Sequence, residues 1–237
     1  MNTIFNFFRR CFSKKYNRII SLGQNCEVAF QFLRHYDFVE ANLFTWSFVY
    51  KTKDLLNALS HLNTFAVDFA PANEYMWKCK NFDVSFHGRA EMIPDDEEMR
   101  NAEKDELISR AAHLKNKFID LSNEKGKILF AYKVPLDDLE HIQDTVDSLD
   151  QIVETLSSLG MQRFDVLVIV TTEYYAKYKS AAKKMSNCDC LYIEAIDFHT
   201  HFSSITTGPW DKCGWKKIWT KYRPSKHLKR GSYKFDS

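Results

Sequence analysis

The sequence predicts an α/β fold: a single domain with a mainly parallel sheet flanked by helices, preceded by a basic, aromatic N-terminal helix. Three observations predict it. Ile128-Leu-Phe-Ala-Tyr132 and Asp165-Val-Leu-Val-Ile-Val170 are continuous apolar runs, as expected of strands buried on both faces. Long helical patterns separate such runs, and strands alternating with helices pair in parallel through right-handed crossovers. Arg18 to Arg34 passes from a strand pattern to a helix pattern within a few residues.

Composition agrees with one domain. The chain has 237 residues, 45% hydrophobic and 15% aromatic, enough to bury a full core. The boundaries expected are residues 1–17 for the N-terminal segment and 18–237 for the domain. Seven glycines and five prolines exclude fibrous or low-complexity character, and no internal repeat is visible. A net charge of +2 is too small to imply a nucleic-acid partner, and none is expected. Six cysteines (Cys11, Cys26, Cys79, Cys188, Cys190, Cys213) form no disulfide framework, and no cleavable signal peptide precedes them. That predicts a reducing, cytoplasmic location.

Residues 1–18 set Ile4, Phe5, Phe7, Phe8 and Phe12 against five basic residues. Arg9 and Arg10 interrupt the apolar run too early for a secretory signal or a membrane span. A short helix of this composition suits peripheral contact with the inner membrane face; docking on the protein's own core is the alternative.

Ile19, Ile20 and Leu22 then make a short strand, Gly23 permits a sharp turn, and Gln24-Asn25 cap a helix with apolar positions at Cys26, Ala29, Phe30 and Leu33. A thiol in the first turn of a helix faces unpaired N–H groups and the positive end of the macrodipole, both of which favour the thiolate. The same N–H groups suit an oxyanion. Cys26 is therefore the candidate nucleophile, and burial as a small hydrophobe is its alternative role.

Further along, Leu55, Leu56, Leu59 and Leu62 recur at helical spacing, Phe65 to His87 is dense in aromatics, and Phe82 to Phe86 alternates like a strand that ends at His87-Gly88-Arg89. Pro94 to Glu106 is an acidic helix start, continued by the stripe Leu107, Ile108, Ala111, Leu114, Phe118 and Leu121. Helices are expected over 139–160 and 174–185, with a last strand at Cys190–Glu194. In a strand Cys188 and Cys190 would point to the same face, and no second Cys/His pair with finger-like spacing accompanies them, so no metal is expected. Ligands of such sheets bind at the carboxyl ends of the strands, which here hold Cys26, His87, Thr171-Thr172-Glu173 and Asp197-Phe-His199-Thr-His201. In the tail, Trp215, Trp219 and Tyr222 lie at helical spacing between lysines, the pattern of a core-facing stripe with a solvated basic face.

Ser21-Leu-Gly-Gln-Asn-Cys-Glu-Val-Ala29, with Leu33-Arg34 and Leu43-Phe44-Thr-Trp46, resembles the opening signature of a bacterial family catalogued as papain-like cysteine peptidases. In that family a Ser-Leu-Gly-x-x-Cys-x-x-Ala segment precedes Pro-Phe-Asp-Trp. Leu43 replaces the proline here, and Thr45 the aspartate. Phe86-His87, Arg110 to Phe118 and Ile128 to Tyr132 are similar more loosely, so the resemblance spans roughly residues 18–172. It implies a hydrolase in which Cys26 attacks an acyl carbon. His87 is one candidate base. His199 or His201, oriented by Asp197, is the other, since a nucleophile needs a base with an orienting partner. Gln24, Asn25, Trp46 and Arg89 are the candidate oxyanion and binding residues. A nucleophile after the first strand with His and Asp after the last is also the layout of small flavodoxin-like esterases and of cysteine-containing sugar acyltransferases, an analogy of fold alone. The alternatives are thus an acyltransferase of cell-surface polysaccharide (O-antigen or capsule) biosynthesis, with a glycan or an acyl donor as substrate, and a non-catalytic binding protein of that assembly. No Walker-type loop and no Gly-x-Gly-x-x-Gly occurs. No cofactor is expected.

Overall fold

The structure, a computed structural model, describes residues 14–37, 39–88, 92–197 and 214–225. Its elements in chain order are β1 (Lys14–Tyr16), β2 (Arg18–Ser21), α1 (Glu27–Tyr36), β3 (Ser47–Val49), α2 (Thr52–Ser60), β4 (Phe69–Pro71), β5 (Met76–Cys79), β6 (Val84–His87), α3 (Glu97–Ile119), β7 (Ile128–Lys133), α4 (Ile142–Ser158), β8 (Phe164–Thr171), α5 (Thr172–Ala182), β9 (Leu191–Ile196), α6 (Trp215–Lys221) and β10 (Tyr222–Pro224). The expected α/β fold is present. A four-stranded parallel sheet runs β2-β7-β8-β9, with Ile19 opposite Leu129, Phe130 opposite Val166 and Val168 opposite Ile193.

Side-chain alternation divides this sheet into two packed faces, as a period of two demands. Ile20, Phe130, Tyr132, Val166, Val168, Val170, Leu191 and Ile193 join one cluster with Val146, Leu149 and Leu156 of α4 and Tyr178 and Ala182 of α5. Ile19, Leu129, Ala131, Leu167, Ile169 and Ile196 face the other way, onto Val28 and Phe32 of α1 and Trp215, Ile218 and Trp219 of α6. Helices therefore cover both faces, which explains why β7 and β8 read as unbroken apolar runs.

Of two further sheets, one departs from the expectation of mainly parallel pairing. The aromatic-rich segment folds as an antiparallel sheet, β3-β6-β5-β4, whose Trp77, Val84 and Phe86 pack with Phe44, Phe65 and α3 residues Leu107, Ala111 and Phe118. Lys14–Tyr16 is a strand instead of part of a helix, paired in parallel with β10; residues 1–13 lie outside the described region. Cys188–Cys190 is a 3-10 turn before β9 instead of the start of a strand, so its two thiols do not share a strand face.

Candidate functional site

The strand–turn–helix at β2–α1 is built from local constraints. The N–H of Leu22 donates to the Ala131 carbonyl at 2.9 Å, extending the sheet by one rung. Gly23 (φ +87°) and Gln24 (φ +76°) then turn the chain through the left-handed region. A Cβ on Gly23 would lie 2.9 Å from Ser47 Oγ, so both the torsion and the space require glycine. Gln24 adopts the same region without that freedom, a local strain of the kind that the surrounding structure must impose. The Val49 N–H donates to the Gln24 carbonyl at 3.0 Å and pins it. Gln24 is buried, and its side-chain oxygen has no partner among the described residues.

Asn25 and Cys26 begin the helix, with one shift from the expected arrangement. Asn25 Oδ1 accepts the Glu27 N–H at 2.9 Å, and Cys26 is itself the N-cap residue: its carbonyl accepts the Phe30 N–H at 2.9 Å, while its side chain makes no capping bond. The inward stripe is Cys26, Val28, Ala29 and Phe32, whereas Phe30 and Leu33 are only partly buried. Trp46 packs edge-on against Phe30 at 5.2 Å between ring centroids.

The electrostatics of Cys26 oppose the expected activation. The residue is 6% exposed. Burial pushes its thiol up to about 11, reinforced by the neighbouring Glu27 carboxylate and opposed by the backbone N–H and by the Lys133 ammonium. Desolvation of the thiolate outweighs the helix start, so the resting group is a protonated thiol at neutral pH.

Beside it lies a charged cluster that the sequence did not announce. Glu27 (0% exposed) and Lys133 (1%) form an ion pair in the interior. The other carboxylate oxygen accepts the Trp215 indole N–H at 3.1 Å. Lys133, the last residue of β7, shares the face of Leu129 and Ala131, so the pair ties the sheet to the first turns of α1 and α6. The signal was present but short: an acid directly after Cys26, and a lysine closing an apolar run.

Other candidates are dispersed. His87 ends β6 in the antiparallel sheet, not the parallel one, opposite Met76. Its carbonyl accepts from Arg110 Nη2 at 2.5 Å, and its ring, though solvent-exposed, is held below the usual histidine range by desolvation and then by the Arg110 charge. Asp197 follows β9 at the surface, 3.4 Å from the Thr172 hydroxyl that donates to it. Arg89, His199 and His201 lie outside the described residues. Among the described residues no group of three or more His, Cys, Asp or Glu side chains is arranged to hold a metal, and no helix is long and apolar enough to cross a membrane. Trp215, Trp219 and Tyr222 are buried, the core-facing stripe expected from their spacing.

Fold and site define a three-layer α/β protein with a cysteine on a strained strand–turn–helix at the carboxyl end of an edge strand of its parallel sheet. Comparison with protein-family models, curated proteins and solved structures finds no match.

Proposed function

We propose that this chain is a cysteine-dependent acyl-transfer enzyme with Cys26 as its nucleophile, peptidase-like by the sequence resemblance. The observation that carries the reading is the placement of Cys26: two residues after a pair of left-handed torsions, at the N-terminus of α1 and the carboxyl end of β2, where a sharp strand-to-helix turn presents a nucleophile. A base takes the thiol proton, sulfur bonds to the acyl carbon, and the leaving amine or alcohol departs with that proton. Water or a sugar hydroxyl then cleaves the thioester. Because the resting thiol is protonated, the base is essential; His87, or His199 or His201 with Asp197, is the candidate. With the Glu27 N–H occupied by Asn25, the backbone between Gln24 and Cys26 is left as the oxyanion donor. In this reading the enzyme works in the cytoplasm; the alternative within the same chemistry is transfer of an acyl group to a sugar of cell-surface polysaccharide assembly, made at the inner membrane face.

The burial of Cys26 favours a second reading, a non-catalytic binding protein of the same assembly in which the thiol only packs. Incubating the folded protein with activated esters and thioesters, then mapping adducts by mass spectrometry, separates the two. A hydroxylamine-sensitive acyl adduct on Cys26, absent in Cys26→Ala, supports the enzyme. Acylation of Cys26 only after unfolding overturns it and leaves the binding protein.

A further inference from the structure

Lys133 is an unexpected residue where it lies. The rest of the sheet face that it shares is closed by apolar side chains, with Leu129, Ala131, Leu167 and Ile169 packed against Val28, Phe32, Ile218 and Trp219. A buried ion pair is often no more stabilising than an apolar contact of the same shape, because both ions give up water. Apolar residues at positions 27 and 133 would thus serve packing alone. The chain instead keeps a carboxylate that is 0% exposed and an ammonium that is 1% exposed.

The place of the pair is specific. Ser21 of β2 pairs with Ala131 of β7, and the Leu22 N–H still reaches the Ala131 carbonyl. Lys133 lies two residues further, level with the Gly23-Gln24 turn, at the end of the strand where parallel sheets hold their ligands. Its partner Glu27 directly follows Cys26. Glu27 from α1 and Lys133 from β7 are also the charged side chains that act on the Cys26 thiol, the carboxylate against its ionisation and the ammonium for it.

We propose that Lys133 is a positioning residue for the reaction of Cys26: its ammonium, locked beside the turn by Glu27, supports the charge that gathers on sulfur as the thiol gives its proton to the base. This rests on Cys26 being the nucleophile. The S–H bond breaks, the base takes the proton, and the electron pair left on sulfur forms the bond to the acyl carbon; Lys133 keeps all of its protons. A unit charge acting over about 10 Å at an effective dielectric of about 20 moves an ionisation by about one pH unit.

The test is the rate at which iodoacetamide alkylates Cys26 in the folded chain from about pH 7 to about pH 10, read at that residue by mass spectrometry. Two comparisons remove the ammonium alone: the native chain against Lys133→Met, and Glu27→Gln against Glu27→Gln with Lys133→Met. The second leaves no carboxylate stranded, so it serves even where Lys133→Met fails to fold. In each, loss of the ammonium should move the profile up by about one pH unit, a reaction about tenfold slower at about pH 8. A pair that only ties the sheet to its helices gives the reverse, since loosening bares a buried thiol and speeds its alkylation. An unchanged or faster rate in the folded variants overturns the proposal. Alkylation needs neither a base nor an acyl donor. An acyl adduct on Cys26 beside unchanged alkylation therefore removes the role of Lys133 and leaves the enzyme standing, whereas a missing adduct removes the enzyme and that role with it.

Discussion

Replacing Lys133 with methionine should be among the most damaging single changes in the described chain. The variant keeps roughly the length of the side chain and removes its charge, leaving the Glu27 carboxylate fully buried without the Lys133 ammonium, while the Trp215 N–H still donates to it. Breaking a buried pair from one side costs about 3–5 kcal/mol, because the surviving charge loses its compensating one. With a urea slope of about 3 kcal/mol per M, a loss of about 4 kcal/mol lowers the denaturation midpoint by about 1.3 M. Tryptophan fluorescence is a suitable assay, since Trp215 touches the carboxylate directly. Adding Glu27→Gln should restore most of the loss: the glutamine is neutral, and its carbonyl still accepts the indole N–H. The reasoning is refuted if Lys133→Met shifts the midpoint by less than about 0.3 M, or if the double variant is no more stable than the single one.

Three further outcomes follow from the same structure. Asp138→Ala removes one carboxylate oxygen that accepts both the Thr52 N–H at 2.5 Å and the Thr52 hydroxyl at 2.7 Å at the start of α2, and urea titration should register a loss of about 2 kcal/mol. Tyr16→Phe strips the 2.5 Å bond to the buried Asp165 and should cost about 1.5–3 kcal/mol by the same titration, with Lys127 still holding the other oxygen. Because burial raises Cys26 to about 11, alkylation of Cys26 in the folded protein should accelerate with pH toward about 11, and in the unfolded chain toward about 8.5. The sign follows for stability as well. Keeping this thiol neutral contributes fully below the unfolded value and is lost between the two, so the stability advantage of the native chain over Cys26→Ala should shrink as pH rises from about 8.5 to 11. An advantage that stays constant across that window would contradict the burial described.

The readable parts of the fold were those whose environment repeats along the chain. β8 was expected at Asp165–Val170 and runs Phe164–Thr171; β7 was expected at Ile128–Tyr132 and gains Lys133. Both lie between two helical layers, so each residue registers the same apolar surroundings. Lys133 was left out because a charge at the end of an apolar run reads as solvent, and its partner Glu27 stands 106 residues away, beyond any periodic signal. Of the antiparallel sheet only β6 was legible, as the alternation of Phe82 to Phe86; β3, β4 and β5, strands of three or four residues, are too short to be separated from a cluster of aromatics. At the site, the turn residues and the cysteine were legible, since Gly23 and the change of period are local. The protonation state of Cys26 was not. The helix start is written next to the thiol, but the burial that outweighs it comes from the folded surroundings as a whole.

The ribbon of β1 and β10 also governs the order in which the protein can complete itself during synthesis. Lys14 to Tyr16 leave the ribosome some two hundred residues ahead of their pairing partners at Tyr222 to Pro224. Until α6 arrives, the sheet face bearing Leu129, Ala131, Leu167 and Ile169 lacks the cover of Trp215, Ile218 and Trp219. A nascent chain therefore carries this face without the cover of α6 from the time β8 is made until Trp215 to Trp219 emerge. A chain cut between β9 and α6 would keep that part of the face uncovered permanently.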